Sequence, residues 1–438
     1  MSHKIIVARI ARVEPIPNAD KIQVAYVLGE RVVISKTVVT GDVGLFFPVD
    51  LQLSNMYCYE NNLYHDKALN KDVTKSGFFD KNRRVRAQTF KGVKSCGLFM
   101  PLESIYFTGA WAEELTEGLA FDELNGHKLV QKYISEASKV KGQANQTKAV
   151  KKNFAPFFAK HVDSEQFKHY AERIQKGSLL HFHSKVHGTS ARMGYLPVQQ
   201  ADTRPAWLKK ATEVYAKFFG KEPAEPEYVY DYVLGTRNVV LKLAEVDKEG
   251  FHGKEQFRFD VFEQVKPFLE KGQTIYGEIA GYVNGGSIMP KHSIKDLKSK
   301  EFTKKYGEAI TYSYGCKEHE YRFHIYRITM TTEAGTHIDW TQAQIDSWCA
   351  DRGLLGPLEV APATIYNGDV EALRLLVEEL TERPALLTED YIDPSHVSEG
   401  IIIRVDTGKL VPDFYKSKSF AFRAMEGNVE IEDPEDAA

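Results

Sequence analysis

Cysteine is scarce in this chain of 438 residues: Cys58, Cys96, Cys316 and Cys349 are the only four, and they lie far apart. No two have the close spacing of a metal-binding pair. Four in so long a chain do not make a disulfide framework, so a reduced, intracellular protein is expected. Long apolar runs are missing too, as is a secretory leader, which excludes a helical membrane span and points to a soluble cytoplasmic protein. A surplus of positive charge is also lacking. Lysine and arginine total 57 against 60 for aspartate and glutamate, a formal net charge of −3. Any nucleic-acid surface must therefore be local. The rest of the composition is ordinary, with 43% hydrophobic and 27% charged residues and no internal repeat. The length suits two or three domains with a sizeable core.

Turn residues and hydrophobic patterning divide the chain. Residues 1–130 read as all-β. Short apolar segments such as Ile22–Leu28 and Arg31–Val39 are punctuated by Pro15, Pro17, Asn18, Gly29 and Gly41. Several short strands closely spaced by turns suggest a small closed barrel of the OB type. Residues 131–153 form a basic linker in which Lys132, Lys139, Lys141, Lys148, Lys151 and Lys152 face Glu136 alone. Residues 154–425 are a mixed α+β domain. Asp163 is expected to cap a helix whose Phe167, Tyr170, Ala171 and Ile174 share a face. Helices are also predicted over 207–220, 341–352 and 370–381. Residues 426–438 form an acidic tail.

The chemistry concentrates in the α+β domain. Lys185-Val-His-Gly188 joins a lysine to a short polar residue and a glycine. A neutral lysine amine can attack the α-phosphorus of a nucleoside triphosphate and hold the nucleotide as a phosphoramide. The glycine keeps the approach to phosphate free of a Cβ. Lys416 and Lys418 stand two apart, so on a strand they project to one side. Their mutual repulsion is relieved by an anion lying between them, and a triphosphate is such an anion. In the run Phe323-His-Ile-Tyr-Arg-Ile328 the same rule sends Phe323 and Ile325 one way and His324 and Tyr326 the other. In the first domain Arg83, Arg84, Arg86, Lys91 and Lys94 form a dense basic stretch that could follow a phosphate backbone.

In order along the chain, Lys185–Gly188, Gly235-Thr-Arg-Asn238, Ile275-Tyr-Gly-Glu-Ile-Ala-Gly281, Phe323–Ile328, Ser398-Glu-Gly-Ile-Ile-Ile-Arg404 and Phe414-Tyr-Lys-Ser-Lys-Ser-Phe420 resemble the motifs of the covalent nucleotidyltransferase superfamily. The chain is most similar to ATP-dependent RNA ligases, in the branch with an N-terminal OB-fold module. The resemblance is strongest from about residue 178 to 425. It implies a multi-domain protein: an all-β OB-like barrel at 1–130 that binds nucleic acid, and an α+β nucleotidyltransferase (ATP-grasp-like ligase) domain at 154–425. Lys185 is then the nucleophile, with Lys416 and Lys418 holding the α-phosphate. His187, Gly188, Arg237, Glu278 and Phe323 bind the nucleotide. Glu278 takes the ribose, Phe323 stacks on the base with Tyr326 as its rival, and Glu399 coordinates Mg²⁺ or Mn²⁺.

The family pattern is departed from at Ser184, where an acidic residue often precedes the lysine, and at His187, where aspartate is common. Glu278 also lies 93 residues after Lys185, further than compact ligases need, which suggests an inserted helix between Pro197 and Glu227. The expected reaction seals a 3′-hydroxyl to a 5′-phosphate through a lysyl-AMP intermediate, with RNA preferred on the 3′-hydroxyl side. RNA or an RNA-containing nicked duplex is the expected partner, and a monomer the expected state. An mRNA-capping guanylyltransferase or a DNA ligase shares these motifs. Both resemble a nucleotidyltransferase domain followed by a barrel, and the 20 residues after Lys418 are too few for one. A non-catalytic nucleic-acid-binding protein on a ligase fold is disfavoured by the intact lysines and glutamates.

Overall fold

In this computed structural model the described residues are 3–49, 51–134, 154–200, 227–241, 256–283, 286–289, 312–382 and 398–425, with short pieces between them. Apart from Tyr215, which is helical, the residues of the helix predicted over 207–220 lie outside the described residues, as do 135–153 and 426–438.

The N-terminal unit is built around the strand Ile5–Pro15. Its register shifts between Ile10 and Arg12, the mark of a bulge that bends a strand. The first half pairs antiparallel with Val43–Phe47, the second with Ile22–Val27. The resulting sheet runs Glu30–Ser35, Ile22–Val27, Ile5–Pro15, Val43–Phe47, Leu98–Pro101. The β-sheet unit expected at the N-terminus is present, with short helical pieces between its strands. Ser54 caps the helix Asn55–Glu60 by accepting from the Tyr57 amide, and Leu102–Thr108 forms a 3₁₀ segment. Buried Tyr57 and Ile105 anchor both to the core around Leu45 and Phe47. Residues 131 and 132, expected to open the linker, are in a strand: Val130–Lys132 pairs with Leu51–Leu53 and satisfies its backbone there.

The second unit packs two sheets. A five-stranded sheet runs Glu165–Gln166, Asp413–Lys418, Gly400–Asp406, Leu179–Ser184, Glu359–Ile365. The alternating Ile401, Ile403 and Val405 pack with Leu373, Val377 and Leu380 of the helix Val370–Glu382. The larger sheet runs Val240–Leu241, Tyr228–Gly235, Thr189–Gln199, Gln273–Val283, Tyr321–Thr331, His337–Asp339. One face carries Ala191, Met193, Ile275, Ile279, Ile325 and Ile328 against the helices Gln256–Val265 and Gln342–Ala350. By strand alternation the other face carries Ser190, Arg192, Tyr276 and Glu278.

The helix at 163 is shorter than expected. Only Phe167–Tyr170 is α-helical, and Gln166 occupies the cap position. The apolar reading holds nonetheless, since Phe167, Tyr170, Ala171 and Ile174 are all buried in one cluster. Asp163 does not cap, because its carboxylate is engaged by Arg237.

Candidate active site

Lys185–Gly188 is where the chain leaves the small sheet at Ser184 and enters the large one at Thr189. Sheet register then supplies the neighbours. Ser184 lies opposite Ile401, and the Lys185 amide donates to the Gly400 carbonyl at 2.9 Å. Gly400 in turn lies opposite Lys418, and Ile402 opposite Lys416. Residues more than 200 positions apart thus meet at one strand end. Two glycines permit the approach. A Cβ on Gly188 would sit 2.3 Å from the Ile279 carbonyl oxygen, and one on Gly400, at φ +129°, 2.0 Å from that of Ser417.

Glu399 is the hub. Its side chain is 4% exposed, and Oε1 accepts Lys185 Nζ at 2.8 Å while Oε2 meets His187 Nδ1 at 3.1 Å. Lys418 Nζ stands 4.0 Å from Oε1 and 4.9 Å above the Phe422 ring. Burial pushes the Glu399 pKa up, but Lys185 and then His187 outweigh it and hold the carboxyl at about 2. Glu278, across the site, behaves oppositely. Burial and the Glu399 charge raise it to about 7, against the pull of Lys185 and a hydrogen bond from Ser190. Lys416 donates to the Ser164 carbonyl at 2.9 Å. Burial, then Lys185 and Lys418, lower it to about 8.

The structure therefore gathers Lys185, His187, Gly188, Glu278, Glu399, Lys416 and Lys418 at one place. Arg237 lies at its margin, half exposed and paired with Asp163, where its charge reaches Glu278 and Tyr326. Phe323 is placed differently from the expectation. Its ring packs with the helix-covered face, where a Cβ on Gly277 would lie 2.3 Å from it. Tyr326 faces the other way. Pairing passes from Tyr276–Arg327 to Gly277–Ile325, leaving Tyr326 as the extra residue of a bulge. Its hydroxyl meets His161 Nδ1, and burial, then the Glu278 charge, raises its pKa.

Three contributors were missed. His161 belongs to a segment laid across the polar face of the large sheet. Buried Arg192 holds that segment, donating to the carbonyls of Phe158 and Ala159 at 2.7 and 2.6 Å. Its even-numbered parity with Ser190 was the available signal. Asp163 was read as a cap and is an ion-pair partner. Tyr314 accepts a hydrogen bond from the His187 amide and carried no signal at all.

The basic stretch of the first unit divides. Arg83 is committed to structure, donating to the carbonyls of Leu53 and Lys81, both at 2.9 Å, because an irregular loop has backbone acceptors to satisfy. Arg84 lies over Tyr133 at 4.8 Å, and Arg86 is 3.8 Å from Asp80. Lys91 forms the tip, and Lys94 one strand, of the hairpin Gln88–Phe90/Val93–Ser95.

Oxygen donors in the site suit a hard divalent cation. Among the described residues no group of three acidic, histidine or cysteine side chains forms a cage. Glu399, with Glu278 nearby, suits an ion that keeps waters and uses substrate phosphates as ligands. Among the described residues no helix is long and apolar enough to cross a membrane.

Residues 5–102 match a family model described as an OB-fold domain. No curated protein matches the chain in sequence. Solved structures of an RNA ligase from Naegleria gruberi do match in fold. A lysine-to-methionine mutant with AMP and manganese has a TM-score of 0.52 at 16% identity, covering 97% of this chain and 98% of that one. A mutant with ATP and manganese gives 0.53 at 15% identity, with 97% and 99% covered. The ligase with pyrophosphate gives 0.52 at 14% identity, with 98% and 100% covered. The chain is an OB-fold domain joined to an α+β domain, and across nearly its whole length it shares the fold of those structures.

Proposed function

We propose that this protein is an ATP-dependent RNA ligase working through a lysyl-AMP intermediate. The observation that carries the proposal is Lys185 Nζ at 2.8 Å from buried Glu399, at the convergence of Lys416, Lys418 and Glu278. The fold shared with an RNA ligase solved with ATP, AMP and pyrophosphate supports it. In the first step the Lys185 amine, having shed a proton, bonds to the α-phosphorus, and the bond to pyrophosphate breaks. In the second, an oxygen of a 5′-phosphate takes the AMP and releases Lys185. In the third, a 3′-hydroxyl attacks that phosphate, closing the phosphodiester and expelling AMP.

Each neighbour has a role in this scheme. Lys416 and Lys418 hold the α-phosphate and stabilise charge that develops there. Glu278 accepts from the ribose hydroxyls, Tyr326 stacks on the base and Arg237 grips phosphate. Glu399 with Glu278 would hold Mg²⁺ or Mn²⁺, which neutralises phosphate charge when bound. The Glu399 carboxylate that would hold the cation is the one Lys185 meets. RNA is preferred on the 3′-hydroxyl side of the break, and the protein acts as a monomer. The OB-fold domain grips nucleic acid there through Arg84, Arg86, Lys91 and Lys94.

The test is incubation with labelled ATP or GTP followed by denaturing electrophoresis. Label from ATP, and not GTP, is the expected result. The Lys185→Ala variant should take no label yet still seal a strand supplied already adenylylated. Full labelling of that variant would overturn the assignment. Label from GTP would indicate a capping enzyme, and label from neither a binding protein.

A further inference from the structure

Tyr314 belongs to none of the nucleotidyltransferase motifs, yet its hydroxyl accepts the amide N–H of His187, inside the Lys185–Gly188 turn. Its local backbone is unfavourable for a tyrosine. Tyr314 has φ 48° and Gly315 φ 69°, and the Cys316 amide donates to the Ser313 carbonyl at 3.0 Å. Two successive positive φ values closed by such a bond make a turn that favours asparagine, aspartate or glycine at its first central position. A bulky residue held there is an outlier whose side chain is kept for another reason. The side chain is buried, 1% exposed, with Tyr312 and Phe422. Those two rings also hold the His187 imidazole edge-on, at 4.4 and 5.1 Å. The imidazole in turn meets Glu399 Oε2, while Lys185 meets Oε1.

We infer that Tyr314 is a positioning residue for lysine adenylylation. It fixes the backbone of the nucleophile turn so that Lys185 and His187 address the two oxygens of Glu399 together. The inference rests on the ligase reading and adds to it a residue that acts through the turn without touching the nucleotide. Losing the hydroxyl leaves the His187 amide unanchored and lets Lys185 drift from the line of attack. The last step of sealing uses a 3′-hydroxyl as nucleophile and does not depend on where Lys185 points.

Tyr314→Phe keeps the ring and its packing and removes only the hydroxyl. Self-adenylylation should slow by ~10-fold or more in kcat, with the KM for ATP within about twofold of wild type, as expected for a misplaced nucleophile in an intact nucleotide pocket. Sealing of a pre-adenylylated nick should proceed at the wild-type rate. Adenylylation at the wild-type rate would overturn the inference. So would an equal fall in both steps with a lowered melting temperature, which marks a merely structural tyrosine. The ligase reading fails separately, if the wild-type protein itself takes no label from ATP.

Discussion

Lys185 is flanked by two glutamates whose proton affinities are driven apart. Glu399 is held at about 2 and Glu278 is raised to about 7, both from a reference of 4.5. For Glu278 the native state binds more protons than the unfolded chain between about pH 4.5 and 7. Its stabilising contribution is therefore full below about pH 4.5 and is lost as pH rises through 7. The slope is at most ~1.4 kcal/mol per pH unit. Glu278→Gln should flatten that part of the stability curve, measured by urea unfolding from pH 4.5 to 8, and an unchanged slope would discount the raised carboxyl. Lys416, lowered to about 8, gives a kinetic counterpart. kcat/KM reports the free enzyme, so adenylylation should fall above pH 8 as Lys416 loses its charge. Arginine stays protonated there, so Lys416→Arg should shift that fall to higher pH even if the rate is lower. Lys416→Ala should lose ~10²-fold in adenylylation rate, the scale of one oxyanion-type contact, with little change in the melting temperature of the nucleotide-free protein. A large loss of stability with adenylylation intact would make the lysine pair structural.

At the scale of the elements, the bulge at Tyr326 turns that ring to the face opposite Phe323. Period two correctly separated Phe323 and Ile325 from His324 and Tyr326, but it could not say which side was the pocket. In the fold Phe323 lies over the Gly277 backbone, and the polar row of Ser190, Arg192 and Glu278 lies on the other face; the proposed pocket is on that polar side. Tyr326→Leu should raise the KM for ATP by ~10-fold or more, a loss of stacking of about 1–3 kcal/mol. Phe323→Leu should instead lower the melting temperature with KM little changed, and the reverse pattern would restore Phe323 as the base-stacking ring. Motifs that sit on strand ends were legible, because acid–glycine and lysine–x–lysine patterns carry their own chemistry. Lys185, Glu399, Lys416 and Lys418 were singled out that way, and the fold brings them together. Arg192, His161 and Tyr314 were not, because each acts through main-chain atoms or a neighbouring ring that only the folded chain supplies. Arg83 shows the opposite: a basic run advertises phosphate, and in the fold this member donates to the Leu53 and Lys81 carbonyls.

For the whole molecule, two domains and their order were legible from composition and turn spacing, and the joint between them was not. With the six site motifs all outside residues 1–130, the sequence suggests that the barrel can be removed with adenylylation retained. The structure gives reason to expect otherwise. One contiguous apolar cluster includes Ile10, Val27 and Phe46 of the first unit and Phe167, Tyr170 and Phe182 of the second. Phe46 meets His169 edge-on at 5.6 Å, and Arg173 donates to the Gly118 carbonyl at 2.7 Å. Glu30 pairs with Lys168 in the same seam, close to His169. Burial alone would raise the Glu30 pKa, but Lys168 and then His169 hold it at about 2. That lowered value supplies stability above about pH 4.5, lost as pH falls toward 2. Glu30→Gln should cost about 1–3 kcal/mol at pH 7, less than a fully buried pair because Lys168 keeps some solvent, and should blunt the loss of stability in acid. Removing residues 1–130 should strip apolar cover from the Phe167–Ile174 segment. That segment lies directly after Ser164, whose carbonyl holds Lys416. Melting temperature and lysine adenylylation should therefore fall together in the truncated chain. A truncated protein that melts and labels like the full chain would show the domains to be independent, leaving the barrel a nucleic-acid clamp and nothing more.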